Sequence, residues 1–184
     1  MALKPKAGRI LVADPYLQDG YFTRSVVLLT AFNQEDTMGF ILNKPSNVLV
    51  HEVFEDFPHF ESLIYIGGPV DSNLIFFIHR LGDLIPNCTP LGNNWFFGGD
   101  FNKLKDLIIA EKIRPRDVRF FLGYSGWGET QLEEEISKKS WIVGDLQPSY
   151  IEKVLTRRLW GTCLKKVKPK FGFYGEYAFS PSLN

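Results

Sequence analysis

The 184-residue chain is poor in the residues that build metal and redox centres, with two cysteines and three histidines. Cys88 and Cys163 lie far apart, which excludes a disulfide framework and a CxxC-type zinc or redox site; both are expected to be reduced, structural thiols. His51 and His59 are eight residues apart with Pro58 between them, and His79 closes an apolar strand. No helical face joins the three, so neither a metal nor a cofactor is expected. Long hydrophobic runs are also missing. Apolar stretches such as Val26 to Leu29 are of strand length, far short of the roughly 18 to 20 residues that cross a bilayer. The run Ile10 to Ala13 after the basic start is too short for a signal-peptide core, so the expected location is the cytoplasm. An excess of one charge is absent as well, since 21 Lys+Arg balance 21 Asp+Glu. No overall positive field is available to hold a nucleic acid by counterion release.

What is present is ordinary globular material, 45% hydrophobic and 23% charged, in a length that suits one domain spanning residues 1–184. Strand-length runs rich in β-branched and aromatic residues occur at Ile10–Ala13, Ser25–Phe32, Met38–Leu42, Leu63–Ile66 and Leu74–Ile78. The polar cluster Asn33-Gln34-Glu35-Asp36 has hairpin-loop length, predicting that Ser25–Phe32 and Thr37–Asn43 pair antiparallel. The period then changes. Asp100 caps a predicted helix over Phe101–Lys112, with Leu104, Leu107 and Ile108 on one face and an exit at Pro115. A strand over Val118–Leu122 leads into Gly123-Tyr124-Ser125-Gly126-Trp127-Gly128, and Thr130 with Glu133 has the capping-box spacing of a helix through Lys139. Trp141–Val143 reads as a short strand, Pro148 opens a helix to about Leu159, and Phe171–Phe179 is an aromatic terminal stretch.

The glycine-rich segment 123–128 admits three readings. As a nucleophile elbow around Ser125 it lacks the second glycine, which is Trp127, and all three histidines precede the serine. As a phosphate cradle it is opposed by Glu129, Glu133 and Glu134 and has no following lysine. As structure, it is a tight turn with Trp127 in the core and Gln131 solvated, and this reading is favoured for any one residue. Two further turns, Asn43-Lys44-Pro45 and Gly67-Gly68-Pro69-Val70, also end strands. If the strand ends converge, glycine N–H groups, the Asn43 amide and the Lys44 ammonium line a polar cleft walled by Tyr124 and Trp127. Arg157, Arg158, Lys165, Lys166, Lys168 and Lys170 form a basic run that keeps nucleic acid as a minor alternative.

These motifs carry a family resemblance. Gly8 to Ala13, Phe22 to Leu29, Gly39 to Pro45, Gly67 to Val70, and Phe121 to Trp127 with Gln131-Leu132-Glu133 resemble, in order, the AlgH/YqgE family of bacterial proteins over about residues 8–160. The resemblance implies an α+β fold in which a mixed, largely antiparallel β-sheet bends into a pseudo-barrel flanked by helices. It also implies a cytosolic protein without an established biochemical activity, from a family labelled as transcriptional regulators after a regulatory phenotype but lacking an evident DNA-binding motif. Carried over position by position, the shared surface comprises Arg24, Ser25, Asn43, Lys44, Pro45, Gly67, Gly68, Pro69, Gly123, Tyr124, Gly126, Trp127 and Gln131. Lys44 stands where the family commonly has arginine, replacing a bidentate donor by a point charge. Ser125 stands where alanine is common, so a shared role cannot depend on its hydroxyl. Glu129-Thr130 replaces a shorter, glycine-containing lead into Gln131. The expected function is a non-enzymatic or not-yet-assigned binding module with a regulatory role, taking a small polar ligand or a protein partner at this surface. The alternatives are a hydrolase or transferase using Lys44 or Tyr124, and a DNA-binding regulator using the basic run.

Overall fold

Continuous short runs of apolar residues, buried on both faces, set the first strands, β1 (Arg9–Ala13), β2 (Val26–Phe32) and β3 (Thr37–Ile41). The expected hairpin is present: Leu28 lies opposite Phe40 and Phe32 opposite Thr37. This computed structural model describes residues 3–33, 36–152, 156–171 and 173–174. The remaining elements are β4 (Pro45–Leu49), α1 (Val50–Val53), β5 (Leu63–Ile66), β6 (Val70–His79), β7 (Thr89–Gly92), β8 (Trp95–Phe97), α2 (Phe101–Ile109), β9 (Val118–Trp127), α3 (Gln131–Ser137), β10 (Trp141–Asp145), α4 (Ser149–Glu152) and α5 (Thr156–Val167). The strands hydrogen-bond in the order β10-β1-β2-β3-β9-β6-β8-β7, with β5 joined to β9 and β4 to β5. Among the described residues, only the β5–β9 pair is parallel. The fold is therefore α+β, a largely antiparallel sheet curled into a half-barrel and flanked by helices.

Strand β9 divides the interior. Successive side chains of a strand point to opposite faces, so Phe121 enters the apolar cluster that includes Leu28, Trp127 and Trp160, whereas Phe120 enters a second one with Phe57, Phe60 and Leu104. Both rings are fully buried, each worth about 2–3 kcal/mol of transfer free energy. Helix α2 closes the second cluster with Leu104, Leu107 and Ile108. Its Asp100 cap accepts from the Lys103 N–H at 3.0 Å, as its sequence predicts, although the helix ends at Ile109.

Several expectations change. The segment read as a glycine turn is the second half of β9, which runs unbroken to Trp127 and pairs with β3 over Ser125–Trp127. Glycine signals close backbone approach there rather than reversal. The Thr130–Glu133 capping box does not form, because Thr130 is left-handed (φ 58°) and its side chain makes no cap bond. Pro45 opens β4 rather than ending a turn, and β6 begins at Val70, earlier than Leu74. After Pro148 the described chain forms α4 and then α5. Phe171 closes a 3₁₀ turn, and most of the aromatic terminal stretch lies outside the described residues. Among the described residues, no helix is long and apolar enough to cross a membrane.

Gly67 sits where β9 passes from pairing with β5 to pairing with β3, donating to the Leu122 carbonyl and accepting from the Ile41 N–H, both at 2.9 Å. A Cβ on Gly67 would lie 2.2 Å from the Gly123 carbonyl oxygen, whereas one on Gly20 would meet nothing within 4 Å. Since backbone cannot yield as a side-chain tip can, Gly67→Ala is expected to destabilise by about 3 kcal/mol or more, against about 0.5 kcal/mol or less for Gly20→Ala. Urea unfolding of both variants measures the difference, and equal midpoints would contradict the close-passage account.

Candidate functional site

The three predicted turns do meet, but their polar side chains are largely taken up by main-chain partners. Gly68 packs on the backbone of Tyr124, where an added Cβ would fall 2.3 Å from its carbonyl, and Gly123 packs under the Gly68 and Val70 carbonyls. The Asn43 side chain accepts from the Val26 N–H and donates to the Arg24 carbonyl, both at 2.9 Å, which holds Arg24 in a left-handed conformation (φ 54°). Ser25 and Ser125 are fully buried, donating to the carbonyls of Phe22 (2.8 Å) and Gly67 (2.9 Å). Tyr124 is half-buried, its ring edge-on to Phe76. The members facing solvent are Arg24, Pro45, Pro69 and Gln131, with Lys44 and Gly126 half-buried. The Arg24 guanidinium lies 5.9 Å from the Trp160 ring centroid, and the Lys44 ammonium donates to the Tyr21 carbonyl. Burial lowers the Lys44 pKa below the usual amine value, partly offset by Asp19.

Gln131 is tied to Trp127 through a residue that sequence reading overlooked. Gln131 accepts from the Gly128 N–H (3.1 Å) and donates to one oxygen of Glu135 (2.9 Å). The other Glu135 oxygen accepts from the indole N–H groups of Trp127 (2.9 Å) and Trp141 (2.8 Å). One carboxylate therefore clamps α3 to β9 and β10. Its only sequence signal was its place four residues after Gln131, hidden among neighbouring glutamates.

The histidines also differ from expectation. The chain reverses between α1 and β5 and brings the rings of His51 and His59 to 4.4 Å between centroids, with His51 Nδ1 against the Phe60 backbone. His79 is buried elsewhere. Its Nδ1 accepts from the Leu81 N–H (3.0 Å) while Nε2 donates to the Gly98 carbonyl (2.9 Å), the neutral tautomer, and burial lowers its pKa. Among the described residues, no three metal-ligating side chains gather. Cys163 is buried, its thiol pushed up to about 12 by desolvation, which makes it unreactive at neutral pH.

An open groove of about 1150 Å³ runs along β10, and all five residues of that strand line it. None of the thirteen predicted site residues does. Lys138 and Lys139 stand at one wall, after α3, while Lys166, Lys168 and Lys170 stand at the other, on α5 and the turn beyond it. Asp14 pairs with Lys168 (3.0 Å) and Asp145 with Arg9 (3.3 Å), and Lys138 reaches Glu134 (3.5 Å). Among the described residues, Lys139, Lys166 and Lys170 have no carboxylate within 4 Å. Half of the predicted basic run thus faces a groove whose opposite wall, at Lys138 and Lys139, was not anticipated.

The geometry defines an α+β half-barrel protein with a basic groove beside an edge strand. The chain belongs to the AlgH-like family, whose family model matches residues 10–172. It is 41% identical to a UPF0301 protein of Parabacteroides distasonis, over 98% of this chain and 92% of that one, and 38% identical to one of Chlorobium limicola, over 98% and 95%. Its structure is similar to the crystal structure of protein DIP2367 from Corynebacterium diphtheriae (TM-score 0.79, 25% identity, 95% and 94% of the two chains). It is also similar to the solution structure of the AlgH protein from Pseudomonas aeruginosa (TM-score 0.66, 28% identity, 83% and 85%).

The bonding above separates two polar side chains of the motif surface. Asn43→Ala leaves the Val26 N–H and Arg24 carbonyl without their partner and is expected to cost about 2–3 kcal/mol, whereas Ser125→Ala, which removes one donor, costs about 1 kcal/mol. Chemical denaturation of the two variants checks the order, and an Asn43→Ala protein as stable as the wild type would refute the clamp.

Proposed function

We propose that this AlgH-like chain is a binding module that holds an acidic partner in the β10 groove and exerts its regulatory effect through that partner. The carrying observation is the charge imbalance of the groove, five lysines against two aspartates, with both aspartates already paired. A ligand bearing carboxylates gains contacts there that the protein's own acids do not supply. Catalysis has less support, since the Ser125 hydroxyl is buried and bonded to a carbonyl and His79 is held neutral in the interior. Fluorescent polyglutamate is the direct probe. Binding at low salt is expected to weaken as salt rises and to fall at least about tenfold in the Lys139→Glu, Lys166→Glu double variant. The exposed Lys112, distant in sequence and absent from the groove, supplies the control Lys112→Glu, for which no loss is expected. Absent binding, or an equal loss in the control, overturns the reading.

One observation favours a second reading at the motif surface. The desolvated Lys44 ammonium, which follows the Asn43 clamp and donates to the Tyr21 carbonyl, suits either contact with a small anion or, with Tyr124 as the expected second group, proton transfer to a polar substrate. Competitive labelling of amines with acetic anhydride across pH is expected to show Lys44 titrating below the ordinary lysine range. A Lys44 that titrates within or above that range discards this reading.

A further inference from the structure

The floor of the groove is a strand with one unused edge. Among the described residues β10 closes the sheet and pairs with β1 alone, in register Ile10 with Gly144, Leu11 with Val143 and Val12 with Ile142. The Asp14 N–H donates to the Ser140 carbonyl at 2.9 Å, which makes residues 14 and 140 a hydrogen-bonded pair. Backbone groups of antiparallel strands alternate in direction, so Ile142 and Gly144 also face β1, while Trp141, Val143 and Asp145 turn their N–H and C=O groups outward. No strand among the described residues takes up that edge.

The two walls lie on opposite faces of β10. A Cβ on Gly144 would fall 2.8 Å from Val167, so α5 covers that face, whereas the Trp141 indole bonds Glu135 of α3 on the other. Lysines of both walls thus flank an outward-facing row of backbone donors and acceptors, and Ile136, Val167 and Phe171 supply apolar lining.

From this juxtaposition we propose that an extended acidic peptide segment of a partner protein adds to the free edge of β10 as a further strand. The inference rests on reading the groove as the acidic-partner site and specifies how the partner is held. Backbone pairing supplies affinity without regard to sequence, and a lysine wall selects carboxylate side chains on whichever face of the added strand carries them. Five residues of β10 span about 16 Å, enough to pair a segment of about five or six residues. The same charges disfavour the other occupants. A second copy of this edge would bring lysine walls against lysine walls, since lysines beside an exposed strand oppose self-pairing. Nucleic acid has phosphates for the lysines but no regular row of alternating donors and acceptors at strand spacing to match the edge.

The test uses the full-length protein and a capped peptide of alternating glutamate and threonine. Two analogues carry N-methyl groups at odd or at even positions. Strand addition predicts that one analogue binds at least about tenfold more weakly while the other keeps its affinity, because only alternate N–H groups face β10. Val143→Pro removes an outward N–H without touching the β1 pairing, which edge strands tolerate, and a similar loss is expected. In the wild-type complex, hydrogen exchange at the Val143 and Asp145 amides is expected to slow by about tenfold or more. Binding that responds to Lys139→Glu, Lys166→Glu but equally to both N-methyl series, with no slowed exchange at Val143 and Asp145, overturns strand addition and leaves the groove reading standing. If no acidic probe binds, both fall. Tighter binding of duplex DNA at the same lysines, or a dimer abolished by Val143→Pro, overturns the proposal in favour of those occupants.

Discussion

The fold depends on the close passage of two backbone segments, Gly67–Gly68 against Gly123–Ser125. There the chain leaving β5 crosses β9 at distances that no side chain other than hydrogen permits. Because that crossing is tight, β9 can pair with β5 and β6 over its first half and with β3 over its second, and one strand serves both halves of the sheet. Buried Phe120 and Phe121 then project into separate apolar clusters on its two faces. Ser125, whose hydroxyl seals the crossing through the Gly67 carbonyl, is part of this joint.

A second joint converts the first into a surface. Glu135 accepts from two indoles at once and is held in turn by Gln131, which fixes α3 against β9 and β10. A carboxylate with three donors is well satisfied at a half-buried position, so the arrangement costs little despite the charge. With α3 on one face of β10 and α5 on the other, the last strand of the sheet becomes the floor of a groove. Several polar groups of the motif segments are taken up by main-chain partners, and the β10 groove lies one element further along, where the local sequence, Trp141 to Asp145, has no glycine pattern or charged motif of its own.

How much of this could be read in advance varies by element. The β2–β3 hairpin and the Asp100-capped helix were legible because their determinants are local: a polar loop between two β-branched runs, and an apolar stripe behind a capping side chain. The glycines of β9 were misread because glycine marks both turns and close approach, and only the neighbour, here Gly68, distinguishes them. The Thr130 capping box failed for a similar reason. Gln131 and Glu135 secure the start of α3 through Gly128 and the tryptophans, and Thr130 is left in a left-handed conformation that disengages its hydroxyl. His51 and His59 met through a chain reversal that no periodicity announces.

By itself the sequence determined the family, the α+β character, the paired strands of the first half and the balance of charge, all of which follow from local pattern or from ordered motifs. The tertiary structure decided which polar groups remain available. Hydrogen bonding is exclusive, so Asn43 and Ser25, read as members of the shared surface, and Ser125, weighed as a nucleophile, are engaged with main-chain partners that are remote in sequence or visible only once the chain has folded. It also brought Lys138 and Lys139 opposite Lys166, Lys168 and Lys170 across a strand edge that no other strand among the described residues pairs with. Charge density on a surface depends on distances through space, and those exist only after the sheet has curled.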